Sequence, residues 1–401
     1  MKIKQMWKRS NGISGVQTHS DFKKSICIFS ASKILILVVG ILATLLIPIE
    51  LTHRQTAIDN WFLNSWAQYD ARAYLDIAEN GYNSQFPGGG NYAWYPLYPL
   101  MIKIFASAVA FIGVSFSFSY GLSAFLISNI FSFVAVYYLY KLTNQEFGNS
   151  KIAKRSVIYF SLFPTVYFLT AMYAESLLIA LSIASFYYAK NERWFLASLT
   201  GFFAGMTRIQ GAFLFFPISY MYFRSKEYKI KNIKANGCFL MLPLTGSAVV
   251  MLYHYIITGN AFIQFSTQAA YGRVLSLPWD SFMSAVLKIA NATSLQDIFY
   301  HVFNIFMALG FLALAAWSFK EMKKEYGIYF LISMIVPLSS TALLSISRHN
   351  LAMFPAFMLM AKLSEKRKYR LIFAPLYVIF FVLLIFFTAR HVNEWFIFNL
   401  I

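Results

Sequence analysis

Carboxylates are scarce in this chain. There are 16 Asp and Glu against 34 Lys and Arg in 401 residues, and charged residues of both signs make up only 12%. With 59% of the residues hydrophobic, a soluble domain of this size is excluded, because its outside would have to meet water. Cysteine is nearly absent too. Cys27 and Cys238 both fall at expected cytoplasmic helix starts, which argues against a structural disulfide or a cysteine metal site. No glycine-rich phosphate loop follows a strand, and no soluble domain exists to hold a nucleotide. Internal repeats and low-complexity linkers are also missing. The first apolar run has no small-residue cleavage site behind it, so it reads as a retained helix and not as a signal peptide.

What the chain has instead is a series of apolar runs near membrane-spanning length, at residues 26–47, 122–140, 238–255, 302–317, 326–344 and 371–387. A bilayer core needs roughly 20 apolar residues per helix. The net charge of +18 comes from where the bases lie. Of the 34 Lys and Arg, 25 sit in six short stretches between apolar runs: 2–24, 141–155, 190–193, 224–234, 320–324 and 362–370. Short basic loops mark the cytoplasmic side, so the basicity records topology and excludes a nucleic-acid footprint. The expected fold is all-α and polytopic, a single integral membrane domain over 1–401 with about 11 transmembrane helices and a cytoplasmic N-terminus. Its first external loop, residues 50–95, is expected to be helical. Residues 97–114 carry Lys103 and start in a proline-rich turn, which favours a juxtamembrane or re-entrant helix. Residues 194–223 read as two short half-spans that turn at Thr207-Arg208-Ile209-Gln210-Gly211.

This threading delivers most polar residues outside the basic loops to the external face. They are Asp70, Arg72, Asp76, Glu79, Tyr173, Glu175, Arg208, Gln210, Arg273, Arg348, His349, Arg390 and His391. A charge in the apolar zone costs roughly 2.5–3.5 kcal/mol on insertion scales, so Arg208 and Arg348 need a reason to be there. Either they serve a ligand, or they snorkel or pair with Glu175 or Asp76 to hold helices together. In the first loop, Trp66, Tyr69, Ala73, Tyr74, Ile77 and Ala78 follow helical spacing and Gly81 suits the helix stop. The Trp and Tyr density there fits a helix lying in the membrane interface. The same spacing sets Asp70 near Tyr74 and away from Asp76, so the two aspartates are not an obvious carboxylate pair.

The loop resembles the PIG-V family of mannosyltransferases, membrane glycosyltransferases of the GT-C class. The resemblance rests on Asp70, Tyr74, Ile77-Ala78, Gly81-Tyr82, and Trp94-Tyr95-Pro96 with Pro99. Further matches follow in order: Pro164, Tyr173-Ala174-Glu175-Ser176, Gly205 to Gly211, Arg348 with Phe354-Pro355, and Arg390 to Trp395. Tyr69 stands where the family usually has Trp. Short inter-helix loops point to a prokaryotic relative, although the eukaryotic family acts in glycosylphosphatidylinositol anchor assembly. The resemblance implies transfer of a hexose, most often mannose, from a polyprenyl-phosphate sugar donor to a lipid-linked or glycan acceptor. Transfer proceeds with inversion on the extracytoplasmic or lumenal face. The membrane is the plasma (inner) membrane in a prokaryote and the endoplasmic reticulum in a eukaryote. Asp70 is then the candidate catalytic base. Candidate substrate-binding residues are Arg72, Tyr74, Trp94, Tyr95, Tyr173, Glu175, Arg208, Gln210, Arg348 and His349. Arg208 and Arg348 have the fork that grips a phosphate. No metal ligands are assigned and a divalent metal is left open. The rival readings are a transporter or flippase for a lipid-linked sugar, which would favour midplane charges and repeats, and a non-catalytic membrane scaffold.

Overall fold

The computed structural model describes residues 2–47, 57–111 and 113–393, with side chains from residue 19 onward. Glu50 and Arg54 of the first external loop, and Trp395, lie outside the described residues. Among those described there is no strand, only one isolated antiparallel bridge between Leu275 and Ser340.

The chain starts with α1 (Lys2–Leu46), followed by the short helices α2 (Trp61–Trp66) and α3 (Asp70–Asn80) of the first loop. Next come α4 (Leu97–Ala110) and the long α5 (Phe116–Phe147). α6 (Ser150–Leu162) stops before Pro164, a 3-10 turn (Val166–Leu169) follows, and α7 (Glu175–Lys190) runs back. α8 (Trp194–Thr207), α9 (Ile209–Ala212) and α10 (Phe215–Ser225) make the expected broken pair. α11 (Leu242–Thr258), α12 (Ile263–Ala270) and α13 (Pro278–Ala290) lead to the long α14 (Leu295–Glu321). α15 (Lys324–Leu338), α16 (Ile346–Leu351), α17 (Pro355–Leu363), α18 (Arg367–Phe373) and α19 (Pro375–Val392) complete the bundle.

Among the described residues, five segments are long and apolar enough to cross a membrane: His19–Leu46, Phe116–Phe147, Ala235–Thr258, Leu295–Glu321 and Arg367–Val392. Six of the expected crossings are shorter pieces, such as α6 with 13 residues and α15 with 15, below the roughly 20 that a span needs. The apolar run 326–344 is not one helix. α15 ends at Leu338, just past Pro337, and an irregular segment leads to Ser345. The first loop also departs from its spacing. A break at Tyr69, whose φ is +52°, separates Trp66 on α2 from α3. Trp66 and Tyr74 are fully buried in the core, so their rings pack against protein.

Two features set the frame. Glu175 opens α7 and Lys190 closes it, so 16 residues, about 24 Å of helix, separate an arginine–carboxylate network from a basic end. At that basic end Lys190 and Lys323 pair with Glu146, and Arg224 pairs with Glu325. α8 and α11 approach closely through small residues. A Cβ on Gly246 would overlap the Phe202 carbonyl, and one on Gly205 would crowd the Pro243 carbonyl, the device helices use where apolar burial gives no drive to associate.

Candidate functional site

The site is assembled from helix ends. Asp70 opens α3 and Glu175 opens α7, where the helix dipole favours a carboxylate. Arg208 sits with extended backbone (φ −160°, ψ 155°) in the break between α8 and α9. Arg348 lies on the short α16, which Ser345 starts in a left-handed conformation. These four side chains meet. Arg348 donates through Nη1 to Asp70 Oδ2 and through Nε to Glu175 Oε1, and Arg208 Nη1 reaches the same Glu175 oxygen. The Arg348 guanidinium also lies over the rings of Tyr173 and Phe168, 4.5 and 5.0 Å from their centroids, a cation–π clamp.

The four are not equally accessible. Side-chain exposure is 2% for Glu175, 8% for Arg348, 18% for Arg208 and 31% for Asp70. Glu175 is therefore the buried strut between two arginines, and Asp70 is the carboxylate an incoming molecule can touch. Burial pushes the Asp70 carboxyl up, but the charge and hydrogen bond of Arg348, with the charges of Arg273 and Arg208, outweigh it and hold the group below its ordinary value. Arg348 Nη2 and Glu175 Oε2 are buried without a protein partner, so the network keeps one donor and one acceptor in reserve.

Supporting bonds fix this geometry from several elements. Tyr173 Oη donates to the Gln68 carbonyl at 2.8 Å, and Met172 N–H to the Trp66 carbonyl at 3.2 Å. Thr165 Oγ1 donates to the Ser347 carbonyl at 2.9 Å. Lys33, a lysine within α1, holds the turn that leads to Tyr173. Its Nζ donates to Leu169 O at 2.7 Å, Thr170 Oγ1 at 3.0 Å and Asn129 Oδ1 at 3.0 Å. Lys33 escaped the sequence reading because it was absorbed into an apolar run; its solitude there was the available signal.

The other candidates divide. Gln210 Nε2 lies 3.3 Å from His349 Nδ1, beside the network. Burial, with the charges of Arg208, Arg273 and Arg348, drives His349 well below its ordinary pKa, so it is neutral at physiological pH. Tyr74 is buried among Asp70, Glu175 and both arginines, whose charges all reach its hydroxyl. Arg72 leans back to Gln68 Oε1 at 2.9 Å. Trp94 packs on Phe86 and Tyr271, and Tyr95 is buried. Asp76 accepts from Asn80, Asn83 and Asn91 at 2.6–2.9 Å and so braces the loop. Arg208 and Arg348 do pair with Glu175, as one sequence alternative held, and not with Asp76. Among the described residues no three His, Cys, Asp or Glu side chains converge as a metal set. The two carboxylates of the site face arginines.

Residues 43–322 match the family described as mannosyltransferase (PIG-V). That stretch holds Asp70, Glu175 and Arg208 and stops short of Arg348. GPI mannosyltransferase 2 of Schizosaccharomyces pombe (strain 972 / ATCC 24843) is 27% identical over 230 residues, 53% of this chain and 47% of that protein. The chain thus spans about half the length of the curated relative it matches.

Proposed function

The chain belongs to the PIG-V mannosyltransferase family, and we propose that it is an integral membrane glycosyltransferase moving a hexose, mannose first, from a polyprenyl-phosphate carrier to a lipid-linked or glycan acceptor. The observation that carries the reading is the contact of Arg348 with both Asp70 and Glu175. It joins an accessible carboxylate to paired arginines at one end of the helical bundle, opposite the basic clusters. That end is the extracytoplasmic or lumenal one if the basic stretches are cytoplasmic.

In the proposed reaction the acceptor hydroxyl oxygen attacks the sugar's C1 from the face opposite the phosphate. The C1–O bond to phosphate breaks, and the configuration inverts. The hydroxyl proton goes to Asp70. A carboxylate held ionised by arginines is a weak base, but it suffices. As its bond to C1 forms, the attacking oxygen takes on oxonium character and becomes far more acidic than an alcohol. The phosphate leaves with its electron pair and meets Arg348 and Arg208. Glu175 keeps the two guanidinium groups together. The neutral Gln210–His349 pair and the Tyr74 hydroxyl border the same space and would orient sugar hydroxyls.

The test is Asp70→Asn in purified, reconstituted protein. Transfer should fall by a factor of about 10² or more, the range general bases contribute, with donor binding retained. Retention of more than about a tenth of the wild-type rate removes Asp70 from the base role.

A further inference from the structure

A third arginine lies within reach of the network's charges and, among the described residues, has no carboxylate of its own. Arg273 lies in the segment between α12 and α13, far from any motif. Its backbone neighbours are clamped on both sides. Tyr271 Oη donates to the Pro87 carbonyl at 2.5 Å, and the Tyr271 ring packs edge-on against Trp94. Thr341 receives the Val274 N–H on Oγ1 at 3.2 Å, donates from Oγ1 to the Gly272 carbonyl at 2.9 Å, and donates its own N–H to Val274 O at 3.0 Å. The Leu275–Ser340 bridge continues this contact toward Ser345, the start of the helix that carries Arg348. Tyr300 Oη accepts the Ser345 N–H at 3.1 Å and lies within reach of the Arg273 charge. The segment is therefore held between the first external loop and the strut under Arg348.

The Arg273 guanidinium is half-buried, feels the charges of Asp70, Arg348 and Arg208, and forms no ion pair among the described residues. Counting the site gives Arg208, Arg273 and Arg348 against Asp70 and Glu175, with His349 neutral. One positive charge is unmatched in a half-buried place, where an uncompensated ion is costly. Arg348 Nη2 is likewise buried without a protein partner.

We propose that Arg273 is a donor-binding residue that completes the site for a phosphodiester of charge −1, so the site selects a sugar on a single lipid phosphate over one on a diphosphate. The proposal rests on the reading of the donor given above. Arg273 grips the non-bridging oxygens opposite Arg348 and Arg208, which Glu175 holds together. Its role is in binding, since Asp70 and Arg348 are placed without it.

The experiment compares wild type with Arg273→Gln and Arg273→Lys in detergent-purified full chain. The probes are farnesyl methyl phosphate, a −1 diester, and farnesyl diphosphate, with binding read by calorimetry and donor and acceptor KM read in the transfer assay. Arg273→Gln should weaken the diester, and raise the donor KM, by about tenfold or more, the size of a charge-assisted hydrogen bond. Acceptor KM and thermal midpoint should stay unchanged, and Arg273→Lys should recover part of the loss. Unchanged diester affinity in Arg273→Gln overturns the proposal, as does a loss confined to acceptor KM or tighter wild-type binding of the diphosphate. A drop in diester affinity in Arg273→Gln accompanied by unfolding, with full affinity in Arg273→Lys at an intact midpoint, also overturns it, since the fork would then be dispensable. Calorimetry needs no turnover. Failure of wild type to transfer from the lipid donor would count against the function, and failure of Arg273→Gln to weaken the diester counts against Arg273.

Discussion

Glu175 and Asp70 are both carboxylates at helix starts, yet burial gives them different work. Glu175, 2% exposed, receives two arginines. Glu175→Gln leaves Arg208 without its carboxylate and Arg348 with Asp70 alone, and removal of one member of a buried ionic group costs about 3–5 kcal/mol. A clear fall in the thermal midpoint is expected, with Glu175→Asp falling less; an unchanged midpoint in Glu175→Gln would contradict the strut role. Asp70 carries the pH signature. Its folded value lies below its ordinary one because the arginines outweigh burial. Its contribution to stability is therefore complete above the unfolded value, near 3.9, and is lost as pH falls through the lower folded value. The profile of kcat/KM should show no acid limb from Asp70 above about pH 4, and a one-proton limb near pH 6 that disappears in a folded Asp70 variant would contradict this. At this scale the sequence was informative wherever a charge stood alone in apolar surroundings. Glu175, Arg208 and Arg348 were legible that way. Arg273 was placed on the external face with no role, because it belongs to no motif, and the contacts of Tyr271 and Thr341 tie its segment to the site.

The elements place these residues by breaking. Arg208 reaches Glu175 because α8 stops at Thr207 and α9 restarts at Ile209, and Gly211 lets the restart fold tightly against Ala204. A Cβ at Gly211 would overlap the Ala204 backbone. Gly211→Ala should therefore lower stability by about 1–3 kcal/mol, the usual cost of overpacking, and raise donor KM by displacing Arg208. A thermal midpoint and donor KM equal to wild type would mean that the turn has slack. Left-handed conformations at Tyr69 and Ser345, ahead of Asp70 and Arg348, store backbone strain at the same site. The half-span break was readable from the basic stretches on both sides of residues 194–223. The break at Tyr69 was not, because helical spacing runs through it from Trp66 to Ala78 and a local pattern carries no sign of a positive φ. Trp94 and Tyr95 were less legible for a related reason. Their motif position sits near Asp70 in sequence, while the packing of Trp94 turns toward Tyr271.

Across the whole molecule, all-helical character and repeated apolar runs were plain from composition. The number of crossings was less so, because α6, α8 and α15 are short and join the bundle by packing, whereas length signals a span only near 20 residues. The orientation has a direct check. Cys27 and Cys238 are free and exposed, and both should react with an impermeant maleimide from the cytoplasmic side alone, whereas a cysteine introduced at Gly81 should react from the other side. Labelling of Cys27 and position 81 from one side would overturn the topology. In the proposed function this membrane protein takes its sugar from a lipid phosphate at the Asp70–Arg348 site. The measurement closest to it is transfer by purified protein, alone in detergent with an extracted lipid acceptor fraction, from radiolabelled polyprenyl-phosphate mannose or from GDP-mannose. The account predicts label transfer from the lipid donor, lost in Asp70→Asn, and none from the nucleotide sugar. Transfer from GDP-mannose alone, or from either donor with Asp70→Asn as active as wild type, would contradict it.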